Sequence, residues 1–154
     1  MRLLIIATLA AALVAVAQPT TLFAGGTTFT VDSEADLPDG NTGDGVCAAA
    51  GGVCTLRAAV MQSNEVGGGQ INVPAGTYVL TIAPDDGNPG ATGDLLTDGV
   101  ITIAGAGRDA TIIDGNGTDR IFDNAIASTL MLSGLTLQNG KPVGDDPWGG
   151  AIRS

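Results

Sequence analysis

Histidine is missing from this 154-residue chain. With it go Ser-His-Asp and Cys-His catalysis, and histidine-ligated zinc or iron. Aromatic residues are scarce: Phe23, Phe29, Tyr78, Phe122 and Trp148 are the whole set. A sandwich built on aromatic anchors is thereby excluded, so a core must come from Ile, Leu, Val and Ala. Basic residues number 6 against 16 acidic ones, a formal charge of −10. That balance disfavours nucleic acid and anionic membrane surfaces as partners. The one long apolar run, Leu3 to Ala17, is shorter than the ~20 residues a bilayer span requires. No stable membrane span is expected.

Glycine, in contrast, is abundant at 24 residues without a collagen period, which fits a fold of many tight turns. It accompanies a repeat. Ile71-Asn72-Val73, Ile101-Thr102-Ile103 and Leu130-Met131-Leu132 follow one another at a near-constant step. The latter two are each followed by a small residue and a glycine. Thr111-Ile112-Ile113-Asp114-Gly115 and Thr136-Leu137-Gln138-Asn139-Gly140 recur at a slightly shorter one. Strand-turn-strand units at a step of this size predict a solenoid whose units bury their apolar faces only by stacking. Ile71, Ile101 and Leu130 are expected in one column. Residues 67–154 form these coils, with Asp85 to Gly93 an excursion between them and Asn116, Asn124 and Asn139 at the bends. Gly149-Gly150-Ala151-Ile152 reads as the opening of another coil, so the solenoid is expected to be truncated at Ser154. The remainder of that solenoid is then its first partner.

Residues 1–17 read as an export signal: Arg2, the apolar run, then Ala15-Val16-Ala17 before Gln18, with cleavage after Ala24 as the alternative. The protein is expected to be secreted or at the cell surface. Residues 25–66 hold a strand at 27–31, an acidic loop, and a cap. Asp36, Asp39, Asn41 and Asp44 in that loop are hard oxygen donors, so a calcium site stands beside a plain solvated loop. The EF-hand spacing fails, because Ala50 stands twelfth from Asp39. No other cofactor is expected. Cys47 and Cys54, the only cysteines, suit a disulfide in an exported chain, and their spacing is not that of a metal or redox pair. Thr55 is a good N-cap for a short helix over Leu56, Ala59 and Val60. Such a helix would cover the apolar end of the first coil, with Leu56 and Val60 facing it.

The run Cys54-Thr55-Leu56-Arg57-Ala58-Ala59 resembles the CSLREA domain, found near the N-terminus of exported bacterial right-handed β-helix proteins. Cys54, Leu56, Arg57 and Ala59 match the namesake motif, and Thr55 replaces its Ser. Ala58 replaces its Glu and so removes a capping box, predicting a looser first turn. The resemblance extends through Asp44-Gly45-Val46-Cys47, Pro74-Ala75-Gly76-Thr77-Tyr78, Gly93-Asp94-Leu95, Ile101 to Gly115 and Leu132-Ser133-Gly134-Leu135-Thr136. It implies a pectin-lyase-like, right-handed parallel β-helix of the all-β class with a short N-terminal capping helix. It implies no catalytic residue.

Gly105-Ala106-Gly107-Arg108-Asp109-Ala110 imitates a dinucleotide fingerprint, but a β-branched segment follows where a helix is required. Asp114, Asp119, Arg120 and Asp123 are the one cluster to nominate for catalysis. Their plainer roles are turn residues and a local charge balance. The leading functional expectation is a structural or adhesive scaffold without catalysis, meeting surface glycans or a neighbouring cell. The alternatives are part of a lyase or hydrolase acting on acidic glycans, and a carbohydrate-binding module for which only Tyr78 and Trp148 offer ring platforms.

Overall fold

The computed structural model describes residues 26–85, 87, 89–142 and 149–154. The leader at 1–17 and its alternative cleavage point lie outside the described residues, as do Asp86 and the 143–148 segment that includes Trp148. The described chain is mostly strands in parallel sheets, with one α-helix.

A first strand, β1 (Thr28–Thr30), is followed by a one-turn 3-10 helix at Thr42–Asp44 and by α1 (Leu56–Glu65). Three successive segments then each supply three strands. The first gives β2 (Gly68–Val73), β3 (Gly76–Val79) and β4 (Leu95–Thr97). The second gives β5 (Val100–Gly105), β6 (Thr111–Asp114) and β7 (Phe122–Asn124), and the third β8 (Thr129–Ser133), β9 (Thr136–Gln138) and β10 (Ile152–Arg153). Each segment contributes one strand to each of three sheets, ordered β1-β2-β5-β8, β3-β6-β9 and β4-β7-β10. Every pairing within these sheets is parallel.

The register corrects the sequence alignment. Ile71 does not stand over Ile101; it pairs with Ile103, and Ile103 with Leu132, under Phe29 at the other end. Ile101 lies between Gly69 and Leu130. A slip of two residues keeps the same face inward, so both isoleucine columns remain interior. The second sheet is displaced by one residue: Ile113, not Ile112, opposes Leu137. A slip of one exchanges faces, and burial shows which is right. Ile113 is fully buried while Ile112 is only partly buried.

Sequence dictates where the segments bend. Asn116 and Asn139 adopt left-handed backbone (φ 57° and 54°), a conformation asparagine tolerates better than most residues. Gly68 has φ 127°, and a Cβ there would collide with the backbone of Val100 on the next segment. Close stacking at that corner requires glycine.

The core is aliphatic, as the lack of rings demands: Ile71, Ile101, Ile103, Leu95, Ile113 and Ile121 are buried with Phe122. Helix α1 packs on β2 and β4 and adds Leu56, Ala59 and Val60 to the same core. The absent capping box does not loosen its first turn. Thr55 Oγ1 accepts the Ala58 N–H at 3.0 Å, and the Thr55 carbonyl accepts the Ala59 N–H at 3.0 Å. Cys47 and Cys54 form a disulfide beside this N-cap.

Arg57 is the largest fully buried side chain. Its guanidinium forks onto Asp36, with Nε to Oδ1 at 2.6 Å and Nη2 to Oδ2 at 3.2 Å. It also donates to the carbonyls of Gly90 (3.0 Å), Gly93 (2.8 Å) and Asp94 (3.3 Å). Asp36 Oδ2 in turn accepts the N–H groups of Thr81 (2.6 Å) and Ile82 (2.9 Å). One ion pair therefore ties down both ends of the excursion between β3 and β4. The carboxylate takes donors at its start, and the guanidinium takes acceptors at its close.

Candidate functional site

This Arg57–Asp36 clip, which holds the Asp94 carbonyl, delivers Asp94 to the corner in front of the third sheet. There Arg120, two residues before β7, reaches Asp94 Oδ2 through Nε at 3.3 Å, both side chains being largely buried. Asp119 completes the corner from below: its Oδ2 accepts the Asp94 N–H at 3.1 Å and its Oδ1 the Arg120 N–H at 2.7 Å. Asp123, one register step into β7, is paired with Arg153 on β10 (Nε to Oδ1 2.8 Å). Burial pushes the Asp94 carboxyl above its ordinary value, and the charge of Asp119 adds to the effect. The hydrogen bond and charge of Arg120 oppose the rise, while Asp123 contributes to it. A raised carboxyl beside a second carboxylate and an arginine is the electrostatic pattern of an acid-base site.

Of the four residues nominated for catalysis, Asp119, Arg120 and Asp123 share this corner, and Asp114 does not. Asp114 sits at the end of β6, above β9. Its two oxygens accept the Asn116 N–H (2.7 Å), Gln138 Nε2 (2.8 Å) and Asn139 Nδ2 (3.1 and 3.0 Å). Burial alone would raise its carboxyl, but these hydrogen bonds outweigh it and hold Asp114 below the ordinary carboxylate range. It edges a polar hollow of about 400 Å³ with Asn116, Asn139 and Lys141.

The lowered carboxyl has a consequence for acid stability. A folded-state value below the unfolded one contributes stability above the unfolded value that disappears as pH falls through the folded one. Asp114→Asn should therefore melt below wild type at neutral pH. The gap should close once the pH drops beneath the usual aspartate range. Melting curves across pH 2–7 would check this, and a gap that persists or widens in acid would contradict it.

Asp94 is the residue that sequence reasoning missed. Its signal was local and faint: an acid just before β4 and an arginine just before β7, opposite charges at one corner of adjacent segments. Arg153 was missed for the same reason, since its partner Asp123 is 30 residues away in sequence.

Three of the calcium candidates are joined to one another: Asn41 Nδ2 donates to Asp44 Oδ2 at 3.3 Å, and the Asn41 N–H to Asp39 Oδ1. Asp36 holds Arg57, a cation already in place. Asp39 accepts the N–H groups of Asn41 (2.7 Å) and Ala48 (3.0 Å), and Asp44 accepts that of Val46 (2.8 Å). Asn41 Oδ1 caps the 3-10 turn by accepting the Gly43 N–H. These are loop-closing turns. Among the described residues no three His, Cys, Asp or Glu side chains form a metal-holding group.

Two surfaces remain. A shallow groove of about 630 Å³ runs over the third sheet between Leu96, Asp123, Arg153 and Ile126. The outer face of the first sheet carries three columns, Gly68–Val100–Thr129, Thr28–Gln70–Thr102–Met131 and Thr30–Asn72–Ala104–Ser133, with Val100 and Met131 its exposed apolar side chains. Tyr78, named above as a ring platform, is buried with its hydroxyl donated to the Pro74 carbonyl (3.2 Å), so it offers no face to a sugar. Among the described residues no helix is long and apolar enough to cross a membrane. Compared with known proteins, the chain matches no family model, no curated protein and no solved structure.

Proposed function

We propose that the three parallel sheets are the faces of a right-handed parallel β-helix closed at one end by α1. In this reading the protein is an exported or cell-surface module of the CSLREA kind, a structural and adhesive scaffold without catalysis of its own. Its partners are glycans of its own or a neighbouring surface.

The observation that carries this reading is the fate of the carboxylates. Acid-base catalysis on a glycan needs two carboxyl groups facing one substrate, with a set separation between them. Here Asp114 is saturated by three residues, and Asp123 is taken by Arg153. Asp119 is spent on two backbone N–H groups. Each builds the stack. The apolar leader Leu3 to Ala17 supports export.

A lyase or hydrolase acting on acidic glycans is the second reading, favoured by Asp94 alone, whose raised carboxyl is what a general acid would have. Incubation with polygalacturonate and with neutral polysaccharides separates the two. The scaffold predicts retention on a polysaccharide or cell wall with no new reducing ends and no unsaturated product. Turnover that disappears in Asp94→Asn would overturn it.

A further inference from the structure

We infer that the outward face of the first sheet is a binding face for neutral polysaccharide. The inference rests on the adhesive reading above and gives it a place and a ligand class.

Charge is the first observation. The chain carries −10, yet not one outward position of β1, β2, β5 or β8 is charged. Acids appear on the outward faces of the other two sheets, at Asp114 and Asp123. A face without charge in an acidic protein gives nothing to a polyuronate, which the surrounding field repels. A neutral polymer meets no such penalty.

Unspent hydrogen-bonding capacity is the second. Corner threonines are consumed by the fold: Thr97 Oγ1 bonds Asn124 Oδ1 (3.0 Å), and Thr111 Oγ1 bonds the Pro74 carbonyl (3.0 Å). On the first sheet, the hydroxyls of Thr28, Thr30, Thr102 and Ser133 bond no protein group among the described residues. Gln70 and Asn72 bond each other (2.8 Å) and extend the array. Hydroxyls and amides both donate and accept, as the hydroxyls of a sugar do. Parallel strands set these groups on a rigid grid of about 4.8 Å across strands and about 6.6 Å along them.

The face has no aromatic ring, since Phe29 points inward. Each contact is therefore weak, and affinity has to come from many contacts made at once. Binding should favour polymers in ordered, insoluble arrays over short soluble oligosaccharides. It should also be insensitive to salt, because no ion pair is involved.

The test is depletion of the protein from suspensions of microcrystalline cellulose, chitin and insoluble β-glucan, with a polygalacturonate gel in parallel. Wild type should be retained on at least one neutral solid, equally at low and high salt. The double variant Thr102→Val with Ser133→Ala should weaken retention about tenfold while melting as wild type does. Asn72→Asp, of the same shape but charged, should weaken it too, and keeps the test alive if the double variant folds poorly. Arg153→Gln, in the groove over the third sheet, should retain wild-type binding. No retention on any neutral solid would overturn the inference, as would retention that salt abolishes or that only Arg153→Gln removes. Binding to cell walls that ignores the face substitutions would sink the face and leave the adhesive reading standing. Face-dependent binding accompanied by turnover would do the reverse.

Discussion

Arg57→Met should destabilise the fold by about 3–5 kcal/mol. A small domain has about 5–15 kcal/mol in hand, so the loss is a large share of the total. The cause is what the arginine leaves behind. Asp36, whose side chain is 2 % exposed, would lose its cation, and the carbonyls of Gly90 and Gly93 would lose their donor. Arg57→Lys should fall between: the charge stays, but an ammonium cannot fork onto Asp36 and reach three carbonyls as well. Urea melts of the three proteins check the order. A methionine variant that unfolds at the same urea concentration as wild type would show that the pair is not what holds the excursion between β3 and β4 in place.

The damage should also have a location. The clip spans the start and close of the excursion between β3 and β4, so the methionine variant should open that excursion to protease before the rest unfolds. Cleavage within Asp85 to Gly93 at denaturant levels where the sheets still hold is the expected pattern.

How much of this was legible beforehand follows from how far each signal reaches. The strands at Ile101–Ile103 and Leu130–Leu132, and the N-cap at Thr55, are written in neighbouring residues. So are the turns at Asn116 and Asn139. The disulfide was expected from a lone pair of cysteines in a chain whose N-terminus reads as an export signal. The exact register did not, because the inter-strand step from Ile71 to Ile103 is longer than the next one, from Ile103 to Leu132. An equal-spacing alignment cannot see that the excursion before β4 lengthens one segment. Arg57 was visible only as a letter in a motif. Its partners are a carboxylate far back along the chain and backbone carbonyls still farther ahead, and carbonyls leave no mark in a sequence. Asp36 was set among possible calcium ligands as a hard oxygen donor; its bond to the Arg57 guanidinium joins residues 21 apart in sequence, which no local pattern marks. The corner of Asp94, Asp119 and Arg120 was half-read, since Asp94 belongs to a different segment from the other two.

Ile103→Ala should cost about 2–5 kcal/mol, and Leu132→Ala, one strand further along the same column, distinctly less. Ile103 lies between Ile71 and Leu132 and is fully buried, so truncation leaves a cavity that strands on both sides are too rigid to fill. Leu132 is only partly buried, on the outermost strand of its sheet, where solvent can occupy part of the space. The same column separates the observed register from the equal-spacing one. Ile71→Val and Ile103→Val should be non-additive, because directly opposed side chains share one packing site. Ile71→Val and Ile101→Val, offset by two residues along the strand, should come closer to simple addition. Stronger coupling in the second pair would mean that Ile101 is the true neighbour of Ile71. The inward face would survive that result, but the ladder between β2 and β5 would have to move by two residues, and the outward columns Thr28–Gln70–Thr102 and Thr30–Asn72–Ala104 would move with it.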